Sequence, residues 1–331
     1  MRGFLFAIFL ITAVATPLAQ EKSILNVSYD VSREFYEQYN PLFAAHWQSQ
    51  HHERVKVNQS HGGSSKQARA VIDGLEADVI TMNQPRDLDA IAEKGRGLIP
   101  SGWRTKFPKS ASPYTSTVVF MVRKGNPKRI KDWDDLIKPG VSVIVPNPKT
   151  AGNGRHSYLA AWSFVLSKNG NDQAKAKEFE SQLFRNVPVL DSGGRGSTTT
   201  FVQRGIGDVL LTFESEVLTA ISENGKGDFE LVVPSQSVEA EMPVALVEEV
   251  VDRRGTRLIA EEYLKCLYSE EAQELLVKFG YRPSSAAVAN KSSGKFRALK
   301  LVEVEEAFGS WSNAMKEHFS DGGSFDQINA K

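Results

Sequence analysis

Along the chain, short runs of β-branched and apolar residues alternate with longer stretches whose apolar positions recur every three or four residues. "ILNVSY" (24–29), "DVITM", "STVVFMVR" (116–123), "VSVIVP" (141–146), "VPVLD", "DVLLTF", "FELVVP" and "PVALVEEVV" have the composition of strands. Between the first two, Phe35, Tyr39 and Phe43 recur at a spacing of four across "VSREFYEQYN" and "PLFAAHWQSQ", and Ala70, Val71 and Leu75 share a face of "KQARAVIDGLEA". "YLAAWSFVLSK", "DQAKAKEFESQLF" and "TTTFVQRG" read as helices, as do 256–268, 270–279 and roughly 303–318. Pro41, after Asn40, predicts a kink or a restart in the first helix. Strands alternating with helices predict an α/β fold with largely parallel sheets.

Four strand-to-helix loops share one vocabulary: "SYDVS" (28–32), "SHGGSSK" (60–66), "NPKTAGNGR" (147–155) and "DSGGRGS" (191–197). In open α/β sheets, ligands bind outside the carboxyl ends of the strands, where such loops lie. A helix N-terminus leaves N–H groups unpaired and carries partial positive charge, and glycine lets backbone approach an anion closely. Any one such loop reads better as a plain turn with a helix cap. Four in one chain weaken that reading in favour of a place that holds an anion, and leave it standing, because sequence does not show that the loops converge.

Length and charge narrow the class. A chain of 331 residues has room for two domains. Lys plus Arg and Asp plus Glu are 40 each, a net charge of zero that argues against a nucleic-acid partner while leaving room for an anion held by backbone N–H groups. The start, "MRGFLFAIFLITAVATPLAQ", has an early Arg, an apolar run from Phe4 to Val14 and the small-residue exit Ala13-Val14-Ala15. The run is too short to span a bilayer and matches a secretory signal peptide over 1–19, cleaved after Ala15 or Ala19. Cys266 is the single cysteine, so no internal disulfide is possible.

Enzymatic alternatives find less support. "LDSGGR" (190–195) and "AAHW" (44–47) look like the serine and histidine segments of trypsin-like proteases, but His46 falls in a helical run and the chain is α/β. "GGSSK" lacks the phosphate-loop spacing. His46, His51, His52, His61, His156 and His318 form no metal-binding motif, so neither a metal nor another cofactor is expected.

With these loops in view, the chain resembles the periplasmic sulfate/thiosulfate-binding proteins that serve ABC importers. The stretches that carry the resemblance are "LNVSYDVSREFYEQYN", "QSHGGSSKQA", "DWDDLIKPGVSVIVPNPKTAGNGR", "DSGGRGSTTTF" and "RGIGDVLLTFESEV", within a similarity from about Leu25 to about Ile328. The resemblance implies a two-lobed type II periplasmic-binding-protein fold with a hinge and an interlobe cleft, acting as a monomer that delivers its anion to ABC permease subunits. It implies backbone N–H donors at Asp30, Gly152, Asn153 and Gly194, and both the hydroxyl and the N–H of Ser64. Ala151 stands where the family often has Ser, so it would contact the anion through its backbone N–H without the hydroxyl, and Phe213 stands at the ligand where the sulfate-type branch has Trp. Phe213, "NPKT", "GGRG" followed by "TTTF", and Leu98-Ile99-Pro100 are similar to the thiosulfate-type branch. Molybdate or tungstate is the alternative guest within this fold. The implied lobes are 20–115 with 248–331, and 116–247.

Sulfate and thiosulfate are fully ionised at neutral pH and suit a lining made of donors, whereas a protonated phosphate would set its O–H against a donor. On this reading the Asp30 carboxylate points away from the guest and caps the 31–40 helix. Arg155 and Arg195 brace the loops from behind by bonding carbonyls or acidic side chains. Phe213 offers a ring edge to the soft terminal sulfur of thiosulfate, or only packs the cleft wall.

Overall fold

The first helix brings Phe35, Tyr39, Phe43 and Trp47 to one side, and all four are buried, as the four-residue spacing requires. It runs unbroken from Arg33 to His51 with Pro41 inside it, so the expected restart does not occur. The molecule is described here by a computed structural model covering residues 22–223 and 227–330. The leader-like segment 1–19 lies outside the described residues.

Two sheets organise the chain. In sequence order the strands are β1 (Lys22–Tyr29), β2 (Val55–Gly62), β3 (Val79–Thr81), β4 (Tyr114–Arg123), β5 (Val143–Ile144), β6 (Val209–Phe213), β7 (Phe229–Val232), β8 (Gln236–Glu241), β9 (Val244–Leu246), β10 (Arg282–Pro283) and β11 (Lys300–Val302). The first sheet has the order β2-β1-β3-β9, with β1 parallel to β2 and β3. The second has the order β11-β8-β4-β6-β5, with β7 and β10 also on β4. The long strand β4 is antiparallel to every partner it has there, which corrects the expectation of largely parallel sheets. Hydrophobic periodicity reports burial and carries no strand direction. "VPVLD" forms no strand, and "PVALVEEVV" divides into β9 and the helix Glu248–Arg254.

The chain passes between the sheets in neighbouring positions just before β4 and between β8 and β9, and returns to the second sheet once more between β9 and β10. The first two crossings touch: Met242 N–H donates to Ser112 Oγ (2.9 Å) and to Tyr114 O (3.2 Å). This is the two-lobed periplasmic-binding fold, with a paired crossing where a hinge belongs. The C-terminal run departs from the expected boundary. β11 pairs with β8, and Lys149 Nζ bonds Phe319 O (3.1 Å) and Asp326 Oδ2 (2.8 Å), so residues from 300 onward pack on the second lobe instead of the first. Their apolar anchors, among them Trp311, Phe319 and Phe325, are buried there.

Asp78 ties the first lobe together. It is fully buried; its Oδ2 accepts from Leu25 N–H (2.7 Å) and pairs with Arg254, while Oδ1 accepts from Thr256 Oγ1. Removing one partner of such a pair strands the other charge. Asp78→Ala is expected to lower unfolding stability by about 3–5 kcal/mol, read from urea midpoints at constant slope; a change under about 1 kcal/mol would contradict this account.

Candidate functional site

Among the helices that begin without a side-chain cap, three bring their first turns together. They are Ser64–Ile72 after Gly63, Gly152–Lys168 after Ala151, and Gly194–Val202 after Gly193. Elsewhere in the same chain, the helices that start at Gln173, Glu270 and Ala286 are capped by Asp172, Ser269 and Ser285. Glycine and alanine offer no side-chain oxygen, so the N-cap residues themselves take up none of the N–H groups of the three first turns.

The approach of the loops is close. A Cβ at Gly63 would lie 2.9 Å from Thr150 O and 3.1 Å from Ser192 O, so three loops touch at a position only glycine fills. Thr150 Oγ1 donates to Ser192 O (2.9 Å), and Asn147 N–H to Asp191 O (2.8 Å). Across the lobes, Gly152 N–H donates to Ser64 Oγ (3.1 Å). Arg195 N–H, in the first turn of the Gly194 helix, donates to Asp30 Oδ2 (3.1 Å). The structure thus brings Asp30, Ser64, Gly152, Asn153 and Gly194 to one crevice between the lobes, and Ser64, Gly152, Asn153 and Gly194 are buried in it. Such a crevice can hold an anion by dipoles and hydrogen bonds without a formal positive charge.

Residues 30–282 match the family described as bacterial extracellular solute-binding protein. The sulfate-binding protein of Escherichia coli (strain K12) is 55% identical over 98% of this chain and 97% of the relative. The thiosulfate-binding protein of Pseudomonas aeruginosa is 55% identical over 92% of this chain and 91% of the relative. Among solved structures, the sulfate-binding protein SubI from Mycobacterium tuberculosis H37Rv superposes with a TM-score of 0.82 at 30% identity, covering 91% of this chain and all of that one. The chain belongs to the sulfate/thiosulfate-binding family of bacterial extracellular solute-binding proteins.

Within this family member, several side chains sit differently from the sequence reading. The Asp30 carboxylate caps no part of the first helix: Oδ1 accepts from Val31 N–H (3.1 Å) and Oδ2 reaches across to Arg195 N–H. Burial raises its pKa, against the pull of those N–H groups and of the Arg195 charge. The partner lies 165 positions away, beyond what local capping rules can foresee. Ala151 N–H is donated to Asn147 O (3.0 Å), closing the preceding turn, so it does not face the crevice as a donor. Phe213 is fully buried and packs edge-on against His156 (5.5 Å), behind the Gly152 turn. His156 donates Nδ1–H to Gly152 O (2.9 Å), and burial drops its pKa to about 4, which keeps it neutral.

The two arginines tie loops together. Arg155, buried, bonds Lys149 O (3.1 Å) and Ser65 Oγ and lies 3.7 Å from Asp87. Arg195 pairs with Glu34 across the lobes and lies 3.7 Å from Glu216 in its own lobe. Ser65, Asp87 and Asn83 escaped the sequence reading. Asn83 follows β3 and precedes the helix Pro85–Lys94, so strand-to-helix position was the available signal, but the segment lacks the Gly and Ser of the other loops.

Burial pushes the Glu216 carboxyl up to about 7, with Arg195 and the Thr198 hydroxyl opposing and Asp30 and Glu34 adding to the rise. The folded state therefore holds this proton more tightly than the unfolded chain. The stability it contributes is complete below the ordinary carboxyl value of 4.5 and is lost as pH rises through about 7. Urea unfolding at pH about 5 and about 8 should show Glu216→Gln losing less stability with rising pH than the wild type. Parallel profiles would contradict the assignment.

Proposed function

We propose that this protein captures a fully ionised sulfur oxyanion, thiosulfate or sulfate, between its lobes and presents it outside the cytoplasm to an ABC permease for sulfur uptake. The observation that carries the reading is the meeting of three uncapped helix N-termini with the Asp30 turn across the two lobes. The relatives named for sulfate and for thiosulfate stand at equal identity, so the family supports the class of guest. The lean toward thiosulfate rests on the sequence at Phe213, which supplies no indole N–H to an oxyanion and packs behind the Gly152 turn.

Export to the periplasm by the leader-like segment 1–19 and action as a monomer belong to the same reading. The second lobe, with Gly152, Asn153 and Gly194, would close on the first, with Asp30 and Ser64, once the anion bridges them. The relatives are named as binding proteins, and no covalent step is part of this function.

Calorimetric titration of the chain lacking 1–19 with sulfate, thiosulfate, phosphate and molybdate tests the proposal. Sulfate and thiosulfate should bind with 1:1 stoichiometry, and phosphate about tenfold or more weakly, because its remaining proton would face a donor in a desolvated site. Equal affinity for phosphate would contradict the donor-lined site. Preference for molybdate would select the alternative oxyanion.

A further inference from the structure

Asn83 occupies the loop at the carboxyl end of β3, the same strand-to-helix position as the anion loops. It is 2% exposed, and its Oδ1 is buried without a hydrogen-bond partner. A Cβ at Gly152 would lie 2.1 Å from that oxygen and 2.8 Å from Ser64 Oγ. The carboxamide therefore reaches from the first lobe to the first turn of the Gly152 helix and lies beside the Ser64 hydroxyl, where the lobes meet. The loop itself is fixed on both sides. Met82 N–H donates to Pro243 O (2.9 Å), and Gln84 Nε2 donates to Ser65 Oγ (3.2 Å).

A buried amide end without a partner is costly, and a site polar enough to receive a ligand is where such a group finds one. A half-turn about the Cβ–Cγ bond exchanges Oδ1 for Nδ2 with almost no change of shape. The side chain can then offer two N–H donors at the spot its oxygen now occupies. Those donors are neutral, so they add hydrogen bonds to a dianion without adding a charge that would also attract other anions.

We propose that Asn83 is a direct contact of the bound anion, donating a side-chain N–H to it beside Ser64 and Gly152; this rests on the oxyanion reading above. The amide belongs to one lobe and touches the other, so its bond to the guest forms together with closure. No glycine, serine or helix cap marks it in the sequence, which separates it from the donors the loop vocabulary identifies.

Two measurements test the assignment. In calorimetric titrations with sodium sulfate and sodium thiosulfate, Asn83→Ala should raise Kd for both dianions about tenfold or more, the loss of one hydrogen bond to a charged partner, while the anion-free thermal midpoint stays close to that of the wild type. In amide NMR of the wild type, the side-chain N–H pair absent from the Asn83→Ala spectrum should move on saturation with sulfate. This second readout holds even if the variant folds poorly. Wild-type binding with an Asn83→Ala Kd within about twofold, or an unmoved side-chain pair, would overturn the proposal alone. A wild type indifferent to both dianions would overturn the oxyanion reading and this proposal with it.

Discussion

Helix N-termini carry like partial charges of about half an elementary unit each, and this fold points three of them at one crevice. Their convergence is unfavourable unless negative charge stands among them. The Asp30 carboxylate supplies part of it, accepting the Arg195 N–H at the start of the Gly194 helix. Its oxygens are already engaged by N–H groups of Val31 and Arg195, and the Gly152 N–H rests on the neutral Ser64 hydroxyl, so a further negative charge is still favoured at these helix starts. An oxyanion with two full charges and no proton to place meets that demand. The remaining features of the site serve to hold this arrangement.

Holding it takes unusual packing. Gly63 lets the backbone of one lobe reach the carbonyls of Thr150 and Ser192 in the other. Arg155 and Arg195 lie to the side of the crevice and fasten loops of the two lobes to each other through Ser65, Asp87 and Glu34. Charge is thus used to position dipoles, and the dipoles are left to face the guest. A guest held this way can also be released by moving the lobes apart at the paired crossings, because no full counter-charge stays with it.

Much of this was legible in the chain. Phe35, Tyr39 and Phe43 announced the buried side of the first helix, and the Gly- and Ser-rich loops announced where helices begin without caps. The direction of β4 was not legible, because alternation encodes which face is buried and not which neighbour a strand takes. The docking of residues beyond 300 on the second lobe rests on contacts such as Lys149 with Asp326, 177 positions apart. Asp30 followed the local capping rule on paper, yet the fold offers its carboxylate a different N–H from the opposite lobe. Ala151 shows the converse, a correct loop with its own N–H spent on the turn that shapes it.

Gly152→Ala isolates the central claim, since it adds one methyl group where the lobes meet and changes no charge. The added carbon would fall 2.1 Å from Asn83 Oδ1 and 2.8 Å from Ser64 Oγ, so closure is obstructed while each lobe can still fold. Isothermal titration of this variant with thiosulfate and sulfate should show Kd raised by about tenfold or more at an unchanged anion-free thermal midpoint. Wild-type affinity for both anions would show that they are held without the convergence of the two lobes, and would contradict the account.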